Sequence, residues 1–237
     1  VAEQPLARRD ESKCLIWKDG KISHCQFKDL SSHVPKGSLF IVNDSRVIAS
    51  RIRFQLPTGA NGEFLLLEPE LSEKENVWTC LARPVKKLKK SMAIDLGHGL
   101  VATIHTMPDP SLQGPEPLKI TFNMGFESLQ NWLEKYAEMP LPPYIERRDA
   151  SDAQKLLDRD RYQTVYANPS GSVAAPTAGL HFTESLVSSL KENSCRFVST
   201  TLHVGAGTFL PVKSNSIADH KMHSERFFIS KRVLDEI

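Results

Sequence analysis

Phe64-Leu65-Leu66-Leu67 is the first of five short apolar runs that follow one another with no helical periodicity between them. The others occupy residues 77–82, 92–96, 100–105 and 118–122, and residues that favour turns separate them. Strands at this spacing, without intervening helices, are typical of small β-barrels and sandwiches. The sequence therefore predicts an all-β barrel domain over residues 51–123.

The segments on either side mix strand and helix patterns. On the N-terminal side, Asp19-Gly20 lies between two strand-like runs, which predicts a hairpin, and an apolar strand over 38–42 follows. On the C-terminal side, apolar residues recur at helical spacing over 126–137. Thr183 is a suitable N-cap for a second helix, and 196–204 has the pattern of a strand.

The expected architecture is a mixed α/β main domain interrupted by the barrel. Residues 1–50 and 124–237 form the main domain, which is compatible with an insertion because the ends of an inserted domain usually lie close together. A helix pattern that begins at Lys231 reaches the last residue. We therefore expect the main domain to be incomplete at its C-terminal end.

Composition and charge exclude some classes of protein. Of the 237 residues, 40% are hydrophobic and 24% charged, as in an ordinary folded protein. No segment approaches the ~18 apolar residues of a membrane-spanning helix, and the first ten residues are charged, so we expect neither a membrane partner nor a signal peptide. The four cysteines form no CxxC pair, which favours reduced core thiols and a cytoplasmic location.

A basic cluster is the most uneven feature of the charge distribution. The net charge is only +2, too small to require a nucleic-acid partner. Five cations nevertheless fall within eight residues: Arg83, Lys86, Lys87, Lys89 and Lys90. Such a cluster can contact RNA phosphates, and binding would then weaken with salt. The alternative is a solvated loop between two strands, which composition alone favours.

Two polar segments contain candidate binding residues. Asn43-Asp44-Ser45-Arg46 follows a strand directly, where α/β proteins place ligand contacts. Asp44 can accept a hydrogen bond or a proton and Arg46 can grip a carboxylate or phosphate, although Asp44 could equally form an Asx turn. In 160–167, Arg161 supplies a cation and Tyr162 a ring on which a base could stack; a core tyrosine is the alternative.

Two further segments are rich in small residues, which let the backbone approach a ligand closely. Residues 171–183 end at the predicted helix start, which favours anionic groups, and supply Thr177, Gly179 and His181. Residues 201–209 end a strand and supply His203, Gly205, Gly207 and Thr208. Their Gly-x-Gly is not a dinucleotide fingerprint, because a third glycine is absent and Pro211 prevents the required helix.

His220, His223 and Glu225 form the last candidate group. On a helix the two histidines would share a face, which is one way to hold zinc, but sulfur ligands and the His-Glu-x-x-His spacing are absent. General acid and base catalysis near neutral pH is the other interpretation, with Glu225 orienting one histidine.

Together these motifs resemble those of the S-adenosylmethionine:tRNA ribosyltransferase-isomerase family of queuosine biosynthesis. The resemblance includes Pro5-Leu6 and Arg9-Asp10, whereas Lys13 stands where the family usually has Arg. It implies a monomeric α/β protein with an inserted β-barrel and no metal. The family's chains continue well beyond the position of Ile237, so we expect this chain to lack the C-terminal part. The matching segments, in the family's order, are 43–46, 139–145, 160–167, 171–183, 201–209 and 220–225.

The resemblance also implies a reaction. The ribosyl moiety of the co-substrate S-adenosylmethionine is transferred to the aminomethyl group of 7-aminomethyl-7-deazaguanine in the anticodon stem-loop of tRNA and isomerised. The products are epoxyqueuosine-tRNA, adenine and methionine. The candidate acid–base residues are His203, His181, His223 and Glu225. The candidate substrate contacts are Asp44, Arg46, Arg161, Tyr162, Thr177, Gly179, Gly205, Gly207 and Thr208.

Two other functions are compatible with parts of the sequence. A non-catalytic tRNA-binding module, with the barrel as its functional part, would bind tRNA but not S-adenosylmethionine. A metal-dependent hydrolase built on His220, His223 and Glu225 would contain stoichiometric zinc. Neither explains the small-residue segments as well as the transferase does.

Overall fold

The fold was determined from a computed structural model, which describes residues 3–70, 76–108, 117–147, 150–209, 215–219, 222 and 224–237. Contacts between Cα atoms divide the chain into two compact units. One unit combines Val1–Val47 with Leu141–Ile237, and the other is Ile48–Pro140. None of the described helices is both long enough and apolar enough to cross a membrane.

In the described part of the chain, ten strands precede the first α-helix, and strands and helices are mixed after it. The strands are β1 (Lys13–Lys18), β2 (Lys21–Gln26), β3 (Leu39–Asn43), β4 (Arg46–Val47), β5 (Arg51–Gln55), β6 (Asn61–Pro69), β7 (Val77–Arg83), β8 (Ala93–Asp95), β9 (Val101–Thr106), β10 (Leu118–Phe122), β11 (Ser170–Ser172), β12 (Arg196–His203) and β13 (Arg226–Phe228). The α-helices are α1 (Phe126–Tyr136), α2 (Asp152–Arg161), α3 (Glu184–Glu192) and α4 (Lys231–Glu236).

The unit Ile48–Pro140 is built on one antiparallel sheet with the strand order β5-β6-β7-β10-β9-β8. The outer strands β5 and β8 also contact each other, so the sheet is nearly closed and barrel-like. Alternate side chains point inward, as the period of a strand requires, and Ile52, Phe64, Leu118 and Ile120 are almost completely buried. This confirms the barrel predicted from the apolar runs.

Helix α1 packs on the core of this sheet. Leu129, Trp132 and Leu133 belong to the same buried cluster as Phe64 and Leu66 of β6. The helix itself confirms the sequence prediction for 126–137. The prediction places it in the main domain, however, whereas its apolar face lies against the sheet. The exact limits of an independently folding inserted domain stay a prediction.

The other unit contains the three-stranded sheet β13-β12-β3, in which β12 runs parallel to β3 and antiparallel to β13. Under one face, the rings of Phe40 and Phe197 stack with centroids 4.8 Å apart, and Phe182 meets both edge-on. Leu186 and Leu190 of α3 complete this core. Helices and a mixed sheet in one unit confirm the α/β (mixed) prediction for the main domain.

The turn and cap signals near this core also match the sequence. Asp19 and Gly20 both have positive φ, 51° and 75°, the geometry that Asp-Gly favours between paired strands. The Thr183 hydroxyl accepts a hydrogen bond from the Leu186 N–H at 3.2 Å and so caps α3. Helix α2 is not among the predicted elements, because its Leu156 and Leu157 are exposed and form no buried apolar stripe.

Candidate functional site

The C-terminal ends of β3 and β12 lie side by side, because the strands are parallel and Asn43 pairs with Thr200. Asp44 and His203 therefore come to the same edge of the sheet. The Asp44 carboxylate accepts a hydrogen bond from Thr201 Oγ1 at 2.7 Å, and its N–H donates to the Thr200 carbonyl at 3.0 Å. Ligands of open α/β sheets bind at such strand ends, so this edge is the candidate site.

Asn43 fixes the chain that leaves β3. Its Oδ1 accepts from the N–H groups of Ser45 and Leu202, both at 3.0 Å, and its Nδ2 donates to the Leu202 carbonyl at 2.9 Å. Asn43 therefore makes the Asx-type turn that the sequence allows for Asp44. The Asp44 side chain is held by Thr201 instead.

A buried pair of serines attaches the small-residue segment to this edge. Ser172 Oγ donates to Ser45 Oγ at 2.7 Å and accepts from the Val204 N–H at 3.0 Å. Both hydroxyls are inaccessible, with Ser45 1% and Ser172 0% exposed. The structure thus joins three segments that the sequence singles out separately, 43–46, 171–183 and 201–209.

His203 lies half-buried at the centre of this arrangement and packs against Gly171. A Cβ on Gly171 would lie 2.7 Å from Cε1 of the imidazole, and Gly171 has φ +148°, so this position requires glycine. His203 Nδ1 is buried and has no hydrogen-bond partner among the described residues. Burial lowers the pKa of His203, the charge of Arg226 lowers it further, and Asp44 opposes these effects. The imidazole is therefore neutral at neutral pH.

The glycine loop after β12 is held by Glu225. Glu225 Oε1 accepts a hydrogen bond from the Gly205 N–H at 2.9 Å, and Arg226 pairs with His203 across β12 and β13. Glu225 therefore lies near His203, as it must if the two residues belong to one site. Gly207 is half-buried and Thr208 is exposed in the 3-10 segment Ala206–Phe209.

Arg46 is exposed on β4, two residues after Asp44. Its backbone N–H donates to the Pro169 carbonyl at 2.7 Å, which fixes the strand and leaves the guanidinium in solvent. The side chain is thus accessible to an anionic ligand.

Other predicted residues contact different parts of the unit. His181 Nδ1 lies 3.4 Å from the Arg9 carbonyl, and its ring centroid lies 5.3 Å from that of Phe27. Thr177 is exposed, whereas Gly179 is buried against Tyr166 and Thr164. These residues border the aromatic core that surrounds Phe182.

Arg161 bonds to the N-terminal segment, and Tyr162 lies in the buried interior. The Arg161 guanidinium donates to the Leu6 carbonyl at 2.7 Å and to the Ala7 carbonyl at 3.1 Å. Tyr162 is only 6% exposed. Arg9, which contributes only to the family resemblance, donates to the Gln163 carbonyl at 2.8 Å.

His220 and His223 lie outside the described residues. Within the part of the chain that the structure describes, no group of three or more His, Cys, Asp and Glu residues could hold a metal ion. Of the predicted histidine–glutamate group, only Glu225 can therefore be located.

The basic cluster lies in the unit Ile48–Pro140, where β7 ends and a 3-10 turn, Val85–Lys87, begins. The buried Leu88 anchors this loop. All five basic side chains are exposed, and none forms an ion pair with a described residue: Arg83, Lys86, Lys87, Lys89 and Lys90. The cations thus face solvent, which either interpretation of the cluster allows.

Asn43, Ser45, Gly171 and Ser172 carry no separate signal in the sequence, although all four stand in motifs that it singles out. Ser45 and Ser172 are 127 positions apart, so their hydrogen bond has no local pattern. Gly171 stands among other small residues, and only the His203 ring explains why glycine is needed there.

Comparisons with known proteins agree with these motifs. The family model described as queuosine biosynthesis protein matches residues 1–237. The chain is 39% identical over 240 residues to the S-adenosylmethionine:tRNA ribosyltransferase-isomerase of Halothermothrix orenii. It is 38% identical over 242 residues to the protein of that name from Treponema denticola. Both matches cover 100% of this chain but 66% of the relative, so the chain spans about two-thirds of the length of these curated relatives.

One solved structure is also similar. The crystal structure of an S-adenosylmethionine tRNA ribosyltransferase from Thermotoga maritima matches with a TM-score of 0.35 and 23% identity. The match covers 100% of this chain and 60% of that one. A likeness of this size supports no further argument.

Proposed function

The chain belongs to the queuosine biosynthesis protein family, and from this membership we propose that it transfers and isomerises the ribosyl moiety of S-adenosylmethionine onto tRNA. The acceptor is the aminomethyl group of 7-aminomethyl-7-deazaguanine at the wobble position, and the products are epoxyqueuosine-tRNA, adenine and methionine. The names of both curated relatives support S-adenosylmethionine as the donor and tRNA as the acceptor molecule. In the chain itself, the neutral imidazole of His203 at the strand edge supports it best.

The reaction needs a base that removes a proton next to the positively charged sulfur of the donor. His203 suits this role because burial and Arg226 lower its pKa, so the imidazole is uncharged and able to accept a proton. A protonated histidine would instead repel the sulfonium. A well-placed general base typically contributes ~10²–10⁴-fold to the rate.

The residues around His203 have proposed roles in positioning the donor. The exposed guanidinium of Arg46 binds the methionine carboxylate, for which its planar fork is suited. Asp44 accepts a hydrogen bond from S-adenosylmethionine. Gly205 and Gly207 let the donor lie against the backbone, and Glu225 positions this loop through the Gly205 N–H.

The other predicted residues, which contact different parts of the unit, have proposed roles as well. His181 and His223 are the candidates for the acid that protonates the departing adenine. Thr177 and Thr208 are exposed and can contact substrate directly. Arg161 acts through the N-terminal segment that it holds. Tyr162 and Gly179 are buried and act through the packing around them.

We further propose that the barrel-like unit binds the anticodon stem-loop through the basic cluster. Its five exposed cations have no described ion-pair partner, so phosphate binding would break no described ion pair. The enzyme is proposed to act as a monomer in the cytoplasm, where its tRNA substrate is modified. Light scattering of the purified chain with and without tRNA tests the monomer proposal.

Single-turnover conversion tests the activity. The substrates are anticodon stem-loop RNA carrying the aminomethyl base and S-adenosylmethionine, and the products are detected by mass spectrometry of nucleosides and free adenine. Three proteins are compared: this chain, a hybrid in which the chain is continued by the last third of the Halothermothrix orenii relative, and that relative whole. Epoxyqueuosine together with free adenine, from the chain or the hybrid, is the expected result.

The same experiment distinguishes the transferase from the second candidate function, a non-catalytic tRNA-binding module. The exposed basic cluster is the observation that favours it. If the whole relative is active while the chain and the hybrid bind RNA but neither bind nor consume S-adenosylmethionine, the transferase proposal is wrong and the binding module is supported.

A further inference from the structure

The hairpin of β1 and β2 places two cysteines directly opposite each other. Cys14 pairs with Cys25 in the antiparallel register, so the two side chains lie on the same face of the hairpin. Directly opposed residues of antiparallel strands have Cα atoms about 4.5–5.5 Å apart. A disulfide bridges Cα separations of about 4.4–6.8 Å, so this register brings the two cysteines into the range in which a disulfide forms.

The pairing is held on both sides of the cysteines. Towards the tip, Asp19 and Gly20 adopt the positive φ values that fix a two-residue turn and therefore the register. Towards the base, the Phe27 N–H donates to the Ser12 carbonyl at 2.8 Å, beyond the last pair of the ladder. The two cysteines are thus kept opposite each other in the hairpin.

This pair differs from the other cysteines of the chain. All four are free, but Cys80 and Cys195 are buried, whereas Cys14 and Cys25 are only half-buried. Reagents in solution therefore reach the hairpin pair more readily. None of the roles proposed above for the transfer reaction uses either residue.

We propose that Cys14 and Cys25 form a cross-strand dithiol, which a low-molecular-weight disulfide oxidises to an intramolecular disulfide. The thiolate of one cysteine attacks a sulfur of the reagent, whose S–S bond breaks and releases one thiol. The second cysteine loses its proton and attacks the protein-bound sulfur, which releases the second thiol. Two protein thiols are oxidised, and one reagent disulfide is reduced to two thiols.

The rate of this exchange should rise with pH. Desolvation raises the pKa of Cys25, and the neighbouring Cys14 thiol adds to the effect. Since the thiolate is the nucleophile, a raised pKa leaves less of it near neutral pH and more as the pH increases.

The test uses glutathione disulfide as the oxidant and intact-protein mass spectrometry as the readout. The wild-type chain is expected to lose two hydrogens, to keep no glutathione and to yield a linked peptide pair containing Cys14 and Cys25. Dithiothreitol should reverse the change. The variants C14S and C25S should stop at the mixed disulfide and retain one glutathione.

A matched control moves one thiol to the other face of the hairpin. In H24C/C25S the cysteine count is unchanged, but residue 24 pairs with Leu15 and its side chain points away from Cys14. This variant should not form the intramolecular disulfide. The proposal is overturned if wild type accumulates only mixed disulfides, or if H24C/C25S cross-links as readily as wild type.

A second probe examines the reduced pair without any oxidant. Phenylarsine oxide binds two neighbouring thiols at once and releases water. One equivalent should be retained by wild type and none by C14S, C25S or H24C/C25S after removal of free reagent. Equal retention by wild type and the variants would show that the two thiols do not act as a pair.

Discussion

His203 combines a lowered pKa with a buried Nδ1 atom that has no described partner. A buried polar atom without a hydrogen bond costs free energy, and a catalytic role is one explanation for such an atom. The ring packs against Gly171, and the backbone of His203 pairs with Arg226 across β12 and β13. At the scale of single residues, this histidine is where the proposed chemistry can be tested most directly.

Replacing His203 by glutamine should lower the single-turnover rate by ~10²–10⁴-fold, because the general base is removed. The wild-type rate should fall as the pH drops through the pKa of His203, which lies below the ordinary histidine value. The variant should lose this acidic limb. His24→Gln, an exposed change on the hairpin, is the control. A wild-type rate and pH profile in His203→Gln would exclude His203 as the base.

Gly171→Ala should displace the His203 ring, since the added Cβ would overlap it and the backbone conformation disfavours a side chain. Gly37→Ala is the matched control, with φ +82° but no atom within 4 Å of its Cβ. We expect urea unfolding to show a decrease of about 1–2 kcal/mol for the control, the usual cost of a left-handed conformation. Gly171→Ala should be destabilised more and should also be less active. Equal decreases in stability and unchanged activity would contradict this account.

At the scale of elements, the loop that joins β7 to β8 presents four lysines next to a buried anchor, Leu88. The strands on both sides hold the loop, so its charges can be changed without removing core residues. This makes the loop suitable for separating phosphate binding from folding.

Reversing the charge of these lysines should weaken binding of the anticodon stem-loop. The slope of log K against log salt concentration should become shallower by about one unit for each phosphate that is no longer neutralised. The variant is K86E/K87E/K89E/K90E, and binding is measured by fluorescence anisotropy at several salt concentrations. A control with the same change in net charge is K13E/K18E/K21E/K28E, which alters exposed lysines of the other unit. If the two variants bind RNA equally, the cluster is a solvated surface that does not touch RNA.

At the scale of the whole molecule, each compact unit has its own core. The core of Ile48–Pro140 is formed by residues of that unit alone, and α1 supplies Leu129, Trp132 and Leu133 to it. A segment that buries its own apolar side chains can fold by itself. The position of α1 therefore decides which fragment is stable.

The fragment 48–140 should fold cooperatively when expressed alone, whereas 51–123 should not. The shorter fragment lacks α1 and exposes the apolar side chains that this helix covers. Circular dichroism and urea unfolding distinguish the two outcomes, and a cooperative transition is the criterion. Cooperative unfolding of 51–123 would instead support the narrower inserted domain predicted from the sequence.

Local patterns of the sequence determined much of this molecule. Alternation and turn residues predict the barrel strands, Asp19-Gly20 predicts the first hairpin, and Thr183 predicts the start of α3, because each signal acts within a few residues. Six ordered motifs also suffice for the family resemblance, and the family model confirms it. These features depend on residue type and spacing alone.

Only the tertiary structure decided which distant residues meet. The parallel pairing of β3 with β12 brings Asp44 to His203, the Ser45–Ser172 bond ties in the segment that contains Gly171, and β13 brings Glu225 to Gly205. The tertiary structure also decided that the apolar face of α1 lies against the barrel strands and that the leucines of α2 are exposed. Such contacts join positions far apart in the chain or depend on which face of a helix is covered, so no local pattern of the chain encodes them.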